Sequence, residues 1–462
     1  MSTDSPVRVH VVLPDGDEVR AGTLRFHEKR RTASATFTYE QAYLADPRAY
    51  ALDPTLQLDA GSHQTPPAVA VFGAMRDGAP DRWGRNLMTR AERERAQREG
   101  VTARTLIGSD FLLGTRDDLR QGALRYTTDD RTFLAPPGDG LPRLIALPRL
   151  LDLTDALVTH EAVDRDLRDL VAAGGSLGGA RPKAAVVLDD GAALAIAKLP
   201  RRGSDEWDVM GWEKVTLDLA AAAQLTVPRS HLVQVLGRNV LLTERFDRRR
   251  TLRVGFVSAM TMLEAHDGDQ RSYLEIADAI ETQSPAPGRD LEQLFRRIVF
   301  SVLVSNTDDH LRNHGFLREP TGWTLSPAFD LNPNPEAPGA LSTTIDTDGD
   351  PTASIDLALQ TAQMYRLSPT RAIEIVHEVE QATATWRTVA TRLELPAREL
   401  ELMLAAFDTP ERTTARAIVT QHRTFSTVSP ARVGQPQPRR PRGTPTAGQY
   451  APQPRSQPDG AR

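Results

Sequence analysis

Apolar and polar positions alternate in short runs through residues 1–140, in VRVHVVL, TASATFTY and GALRYTT, with Asp-Gly, Pro and Gly between them. A period of two places every second side chain on one face, so this region reads as β-rich. One helix is expected near 83–98, and the polar run PDRWGR at 80–85 caps it or packs against the next unit. Residues 141–255 mix a helix near 160–173, a Gly-rich turn, the strands AAVVLDD, ALAIAKL, LVQVL and NVLLTERF, and a helix around 210–224. From 256 to 427 the apolar period lengthens to that of a helix, as in LEQLFRRIVFSVLVSN and RAIEIVHEVEQATATWRTVATRL. Residues 428–462 are rich in Pro, Gln and Arg and nearly lack aliphatics, so they cannot bury a core and are expected to be disordered. No internal repeat is visible. The order is a strand-rich part followed by a helical one, an α+β pattern.

A chain of 462 residues exceeds the usual size of one hydrophobic core. Its net charge of −5 gives no global attraction for nucleic acid. With no cysteine, thiolate nucleophiles, disulfides and cysteine-based zinc sites are excluded, which leaves Asp, Glu, His, Lys, Ser and Arg to supply chemistry. The start alternates like a strand instead of pairing a charged head with an apolar block, and no window reaches the length of a membrane span. A cytoplasmic protein without membrane association is expected.

The densest chemistry lies in SNTDDHLRNHGF at 305–316. Asp308 and Asn313 stand at the interval by which kinase catalytic loops separate the aspartate that positions the acceptor hydroxyl from the asparagine that holds Mg²⁺. Asp330, in SPAFDLNPN, follows as a second hard oxygen ligand suited to Mg²⁺, although Phe-Asp-Leu replaces the usual Asp-Phe-Gly. Upstream, GGSLGGARPK contains Gly175, Ser176, Gly178, Gly179 and Lys183, a turn able to aim backbone N–H groups at phosphates. It is not a Walker loop, because Ala180-Arg181 occupies the Lys-Ser/Thr place. Lys198 ends the strand ALAIAKL where a kinase carries its phosphate-pairing lysine, and Glu213 on the next helix is its expected partner. The end of NVLLTERF offers Glu244 and Phe246 as a hinge for adenine. His310 and His314 lack the glutamate that a zinc protease places after its first histidine, so both are read as structural, with His310 bracing the loop. Asp309 is expected to be exposed or hydrogen-bonded locally.

These motifs together resemble the HipA family of bacterial serine/threonine kinase toxins: SLGGARPKA, AIAKLP, ERFDR, NTDDHLRNHGF and SPAFDLNPN occur in that family's order, and PDRWGR and GTRDDLRQGALRY resemble its N-terminal region. The resemblance implies a bilobal protein-kinase-like fold with a β-rich N-terminal subdomain over 1–140, a nucleotide-binding portion over 141–255 and a helical catalytic lobe over 256–427. It implies use of ATP and Mg²⁺, a DNA-binding antitoxin of the HipB type as partner, with nucleic acid met only through it, and a translation-related target such as an aminoacyl-tRNA synthetase. Ser176 matches the serine that the family autophosphorylates, and a phosphate there would repel the nucleotide.

Three other readings compete: a small-molecule kinase with the same apparatus, a pseudokinase scaffold, and a DNA-binding module in TWRTVATRLELPARELELM at 385–403. The last has several Glu and one Arg in its second helical pattern, poor material for a phosphate-facing surface, and reads as lobe packing.

Overall fold

The computed structural model describes residues 6–29, 32–67, 69–129, 131–134, 142, 144–158, 181–188, 193–203, 205–250, 252–336 and 339–427. The helix expected near 160–173, the loop residues Gly175, Ser176, Gly178 and Gly179, and the tail from 428 lie outside them. Met1–Thr420 forms one compact unit. The helix Pro410–Thr427 ends the description. Among the described residues no helix is long and apolar enough to cross a membrane.

The first sheet has five antiparallel strands in the order β4-β3-β2-β1-β5, with β1 Val7–Val12, β2 Glu18–Lys29, β3 Thr32–Tyr39, β4 Ser62–Gln64 and β5 Leu124–Thr127. β1 follows from its alternation, since Val7, Val9 and Val11 are buried while Arg8 and His10 are less so. β2, whose sequence EVRAGTLRFHEK was not read as a strand, fills the centre of this sheet. The helix Arg82–Glu99 follows, N-capped by Asp81, whose carboxylate accepts from the Gly84 N–H at 2.7 Å.

A second antiparallel sheet, β6-β7-β9-β8, comprises β6 Lys183–Val187, β7 Leu194–Lys198, β8 Ser230–Val235 and β9 Arg238–Glu244. Alternation along β7 assigns its faces: Ala195 and Ala197 join a core with Leu150 and Leu151 of the helix Leu147–Val158 and with Leu87, while Ile196 and Lys198 face a cleft. The helix Val209–Ala222 lies on the cleft side of the sheet and carries Glu213. Two-residue strands β10 Arg248–Arg249 and β11 Leu252–Arg253 lead to β12 Phe256–Ser258, which pairs with β13 Gly315–Glu319, and β13 pairs in turn with β14 Gly322–Leu325.

The remainder is helical, chiefly Tyr273–Gln283, Pro287–Leu303 and Pro369–Thr383, around a core that is continuous with the inner face of the first sheet. The Pro287–Leu303 helix ends immediately before the 305–314 loop, and the β13–β14 hairpin joins that loop to the segment carrying Asp330. Two short helices, Trp386–Arg392 and Ala397–Leu402, occupy the stretch that could pass for a DNA-binding module. Glu399 is buried there and accepts from the Trp212 indole at 3.0 Å, so this pair packs against the helix that holds Glu213.

Candidate functional site

A cleft of about 700 Å³, ample for a nucleotide, opens between the second sheet, the 305–314 loop and the stretch 76–86. Ile196, Leu217, Thr243, Phe246 and Phe329 are among its lining residues, and the Phe246 and Phe329 rings lie 5.4 Å apart. Glu244 also lines it. At this strand end the Glu244 N–H donates to Arg229 O and the Arg245 N–H to Leu194 O, whereas the Phe246 N–H has no backbone acceptor among the described residues. That donor suits the edge of a purine ring.

Further in, Lys198 Nζ donates to Glu213 Oε1 at 2.5 Å and to Asp330 Oδ1 at 2.7 Å. The two carboxylates offset the burial that would otherwise lower the affinity of Lys198 for its proton, and they raise it above the ordinary lysine value. Asp330 shows the converse: burial pushes its carboxyl up, and Lys198 overrules this to hold it well below the usual range. Glu213 is pushed up by burial despite Lys198. The expected lysine partner is therefore in contact, and the lysine stands between the sheet and Asp330.

Lys183 sits directly across β6 and β7 from Lys198. Its ammonium turns to Asp81 Oδ2 at 2.9 Å, with the two side chains only 2% and 3% exposed. Lys183, expected to contact the nucleotide, ties the start of β6 to the cap of the Arg82–Glu99 helix.

The 305–314 loop divides its polar groups between scaffold and site. Asn306 Oδ1 accepts from Asn332 N–H at 3.1 Å, Asn334 Nδ2 reaches Thr307 Oγ1 at 2.8 Å, and Thr343 Oγ1 donates to Asp309 O at 2.7 Å. Asp308 is exposed and is not among the cleft-lining side chains, but its carbonyl accepts from Asn313 Nδ2 at 3.0 Å. Surrounding protein raises its carboxyl, His310 opposes this, and Asp330 and Asp309 add to it.

Asp309 corrects the expectation of an exposed or locally bonded residue. It is buried, accepts from Tyr273 Oη at 2.6 Å and Ser301 Oγ at 3.2 Å, and lies 3.1 Å from His314 Nε2. His314, stacked edge-on against Tyr273, makes the bracing contact expected of His310, which lines the cleft instead. Residue type and spacing gave no sign of this network, because Tyr273 comes from a different helix.

The oxygen donors fit Mg²⁺. Asn313 uses its amide nitrogen on Asp308 and keeps Oδ1 for another partner, and Asp330 is ionised. Asn332, whose Nδ2 donates to Asp330 Oδ1 at 3.2 Å, has a buried Oδ1 with no hydrogen bond among the described residues. Asp330 adopts φ +60°, a left-handed conformation that aspartate tolerates better than most residues and that recurs at functional sites.

A family model described as the HipA-like C-terminal domain matches residues 175–386, the span that holds every group just described around Lys198. Over that span the chain is similar to the HipA family. No curated protein matches the chain. Among solved structures, the HipA chain of a Shewanella oneidensis MR-1 toxin–antitoxin complex of HipA, HipB and operator DNA is 15% identical, with a TM-score of 0.61 over 90% of this chain and 97% of that one. The Helicobacter pylori proinflammatory kinase CtkA is 15% identical with a TM-score of 0.38, over 53% of this chain and 95% of that one. The α+β, kinase-like fold expected of a HipA-family chain is thus the fold observed.

Proposed function

We propose that the protein is an ATP- and Mg²⁺-dependent serine/threonine protein kinase and the toxin of a toxin–antitoxin pair. The observation that carries this reading is the Glu213–Lys198–Asp330 bridge on one wall of the cleft, opposite the loop that pairs Asp308 with Asn313. ATP with Mg²⁺ supplies the phosphoryl group and neutralises its charge. Lys198 would hold phosphate oxygens, and Asn313 and Asp330 would hold the metal. Phe246 and Phe329 would flank the base. Asp308, whose raised proton affinity makes it a better acceptor than an ordinary aspartate, would orient the hydroxyl and take its proton. Most of the acceleration would come from positioning and charge neutralisation.

The family match and the likeness to a HipA in a complex with HipB and operator DNA support a DNA-binding antitoxin as partner. A translation-related protein in the cytoplasm, for instance an aminoacyl-tRNA synthetase, is the proposed target, and phosphorylation of Ser176 the proposed means of self-inactivation.

Incubation of the purified protein with labelled ATP and Mg²⁺, alone and with cell lysate, beside Asp308→Asn, tests the reading. Label on Ser176 or on a lysate protein that is lost in the variant supports it. ATP binding without transfer to any acceptor would replace it with a scaffold.

A further inference from the structure

The wall of the cleft nearest the 305–314 loop comes from the N-terminal part of the chain, and it is basic. Arg76, Arg82 and Arg85 line it, together with Arg312 from the loop itself. Among the described residues the guanidinium groups of Arg76 and Arg82 have no hydrogen bond or ion pair. Arg85 donates through Nε to Pro80 O at 3.0 Å and lies over the Phe111 ring at 5.2 Å, which fixes its plane and leaves its terminal nitrogens unassigned. Arg312 pairs with Asp267 at 2.5 Å, an exposed and breakable contact.

Of the carboxylates nearby, Asp267 pairs with Arg312, while Asp81 and Asp77 are engaged elsewhere. Asp81 is committed to Lys183 and to its helix cap. Asp77 is buried against Ser258 N and Oγ, and burial pushes its carboxyl up toward the neutral form. Arg82 and Arg85 also occupy the first turn of an 18-residue helix that has no acidic residue there, where the helix dipole disfavours cations. Burial lowers the proton affinity of Arg85, Arg76 and Arg312 lower it further, and Asp267 and Asp81 offset only part of this, so these charges repel one another across shared space. Such a cluster is stable in the presence of an anion.

We propose that this arginine wall is an acceptor-recognition site that selects a serine or threonine flanked by Asp or Glu in an extended protein segment. The proposal rests on the kinase reading. Its placement is the argument: Arg312 adjoins Asn313 and follows Asp308 by four positions, so the wall borders the point an acceptor hydroxyl must reach. Lys198 contacts Glu213 and Asp330, and Phe246 packs on Phe329, rather than on Arg76, Arg82 or Arg85. Guanidinium forks pair with carboxylates through two parallel hydrogen bonds, which gives direction as well as charge.

The test uses the full chain with a non-hydrolysable ATP analogue and two fluorescent peptides that share one serine, flanked by Glu in one and by Lys in the other. Binding is read by anisotropy at rising salt for the wild type, Arg76→Glu with Arg82→Glu, and Arg76→Lys with Arg82→Lys. The acidic peptide should bind at least about tenfold tighter, lose affinity as salt rises, lose its advantage in the Glu variant and keep most of it in the Lys variant. Equal binding of the two peptides overturns the proposal. So does a preference that survives charge reversal, or a reversal that weakens the ATP analogue as much as the peptide, since the arginines would then serve the nucleotide. This readout needs no transfer, so failure to phosphorylate either peptide bears on the kinase reading and is distinguishable from failure of the wall.

Discussion

Asp308 and Asp309 are adjacent in sequence and opposite in environment. The interval to Asn313 singles out Asp308, and that interval is a property of the chain alone. Burial of Asp309 depends on Tyr273, Ser301 and His314 converging on it, which no local pattern records. Their variants should separate accordingly. Asp308→Asn should lower phosphate transfer by about 100-fold or more while leaving the denaturation midpoint nearly unchanged, because it removes an exposed group. Asp309→Asn should cost roughly 3 kcal/mol of stability, because three buried partners lose their charged acceptor. Equilibrium unfolding and single-turnover labelling of both proteins check this, and a destabilised Asp308→Asn would contradict it. Lys198 allows a second residue-scale prediction. Its removal leaves Glu213 and Asp330 facing each other without a cation, so Lys198→Met should weaken ATP binding by on the order of 100-fold, read by calorimetry. Adding Glu213→Gln should recover stability but not binding.

Elements were legible where their period was unbroken. β7 and β9 read directly from apolar runs, as did the Arg82–Glu99 and Val209–Ala222 helices. β2 did not, because EVRAGTLRFHEK spaces its few apolar residues among charges and is a strand by virtue of neighbours on both sides. The periodic run RAIEIVHEVEQATATWRTVATRL conceals a break, since Pro369–Thr383 and Trp386–Arg392 are separate helices. The PDRWGR stretch was read as either a cap or a packing surface, and Asp81 does both. This makes a double-mutant cycle informative at the scale of two elements. Asp81→Ala removes the cap, worth about 1 kcal/mol, and strands the Lys183 ammonium, worth about 3 kcal/mol more. Asp81→Asn should keep most of the first contribution and lose the second. In a Lys183→Met background the Asp81 substitutions should cost about 1 kcal/mol or less, measured by urea unfolding. Additive costs would mean that the buried contact does not hold the helix to β6.

Across the whole molecule, the connection least visible in the sequence links residues 119–122 to the segment 245–248 beside the cleft. Arg245 Nη1 donates to Leu119 O at 2.8 Å, Arg248 Nη2 to Arg120 O at 2.7 Å, and the Gly122 N–H to Asp247 Oδ2 at 2.8 Å. Nothing in ERFDR or in GTRDDLRQGALRY announces the other, because each is polar for reasons that only contact explains. Asp247 is the ionised centre of this joint, paired with both Arg245 and Arg248 at 2.7 Å. Burial pushes its carboxyl up, and the two guanidinium groups overrule this to hold it far below the ordinary aspartate range. Asp309 behaves alike, with His314 and Arg297 opposing its burial. A carboxyl depressed on folding binds fewer protons in the native state, so its stabilisation is complete above the unfolded aspartate value near 4 and is lost as pH falls below it. Unfolding midpoints should therefore hold level from about pH 7 to 5 and drop steeply below about pH 4. Asp247→Asn should be less stable than the wild type by roughly 3 kcal/mol at pH 7, and the gap should narrow toward pH 3 as the unfolded chain takes up a proton that native Asp247 does not. A gap that stays constant across that range would place the acid sensitivity elsewhere and leave Asp247 as a neutral packing residue.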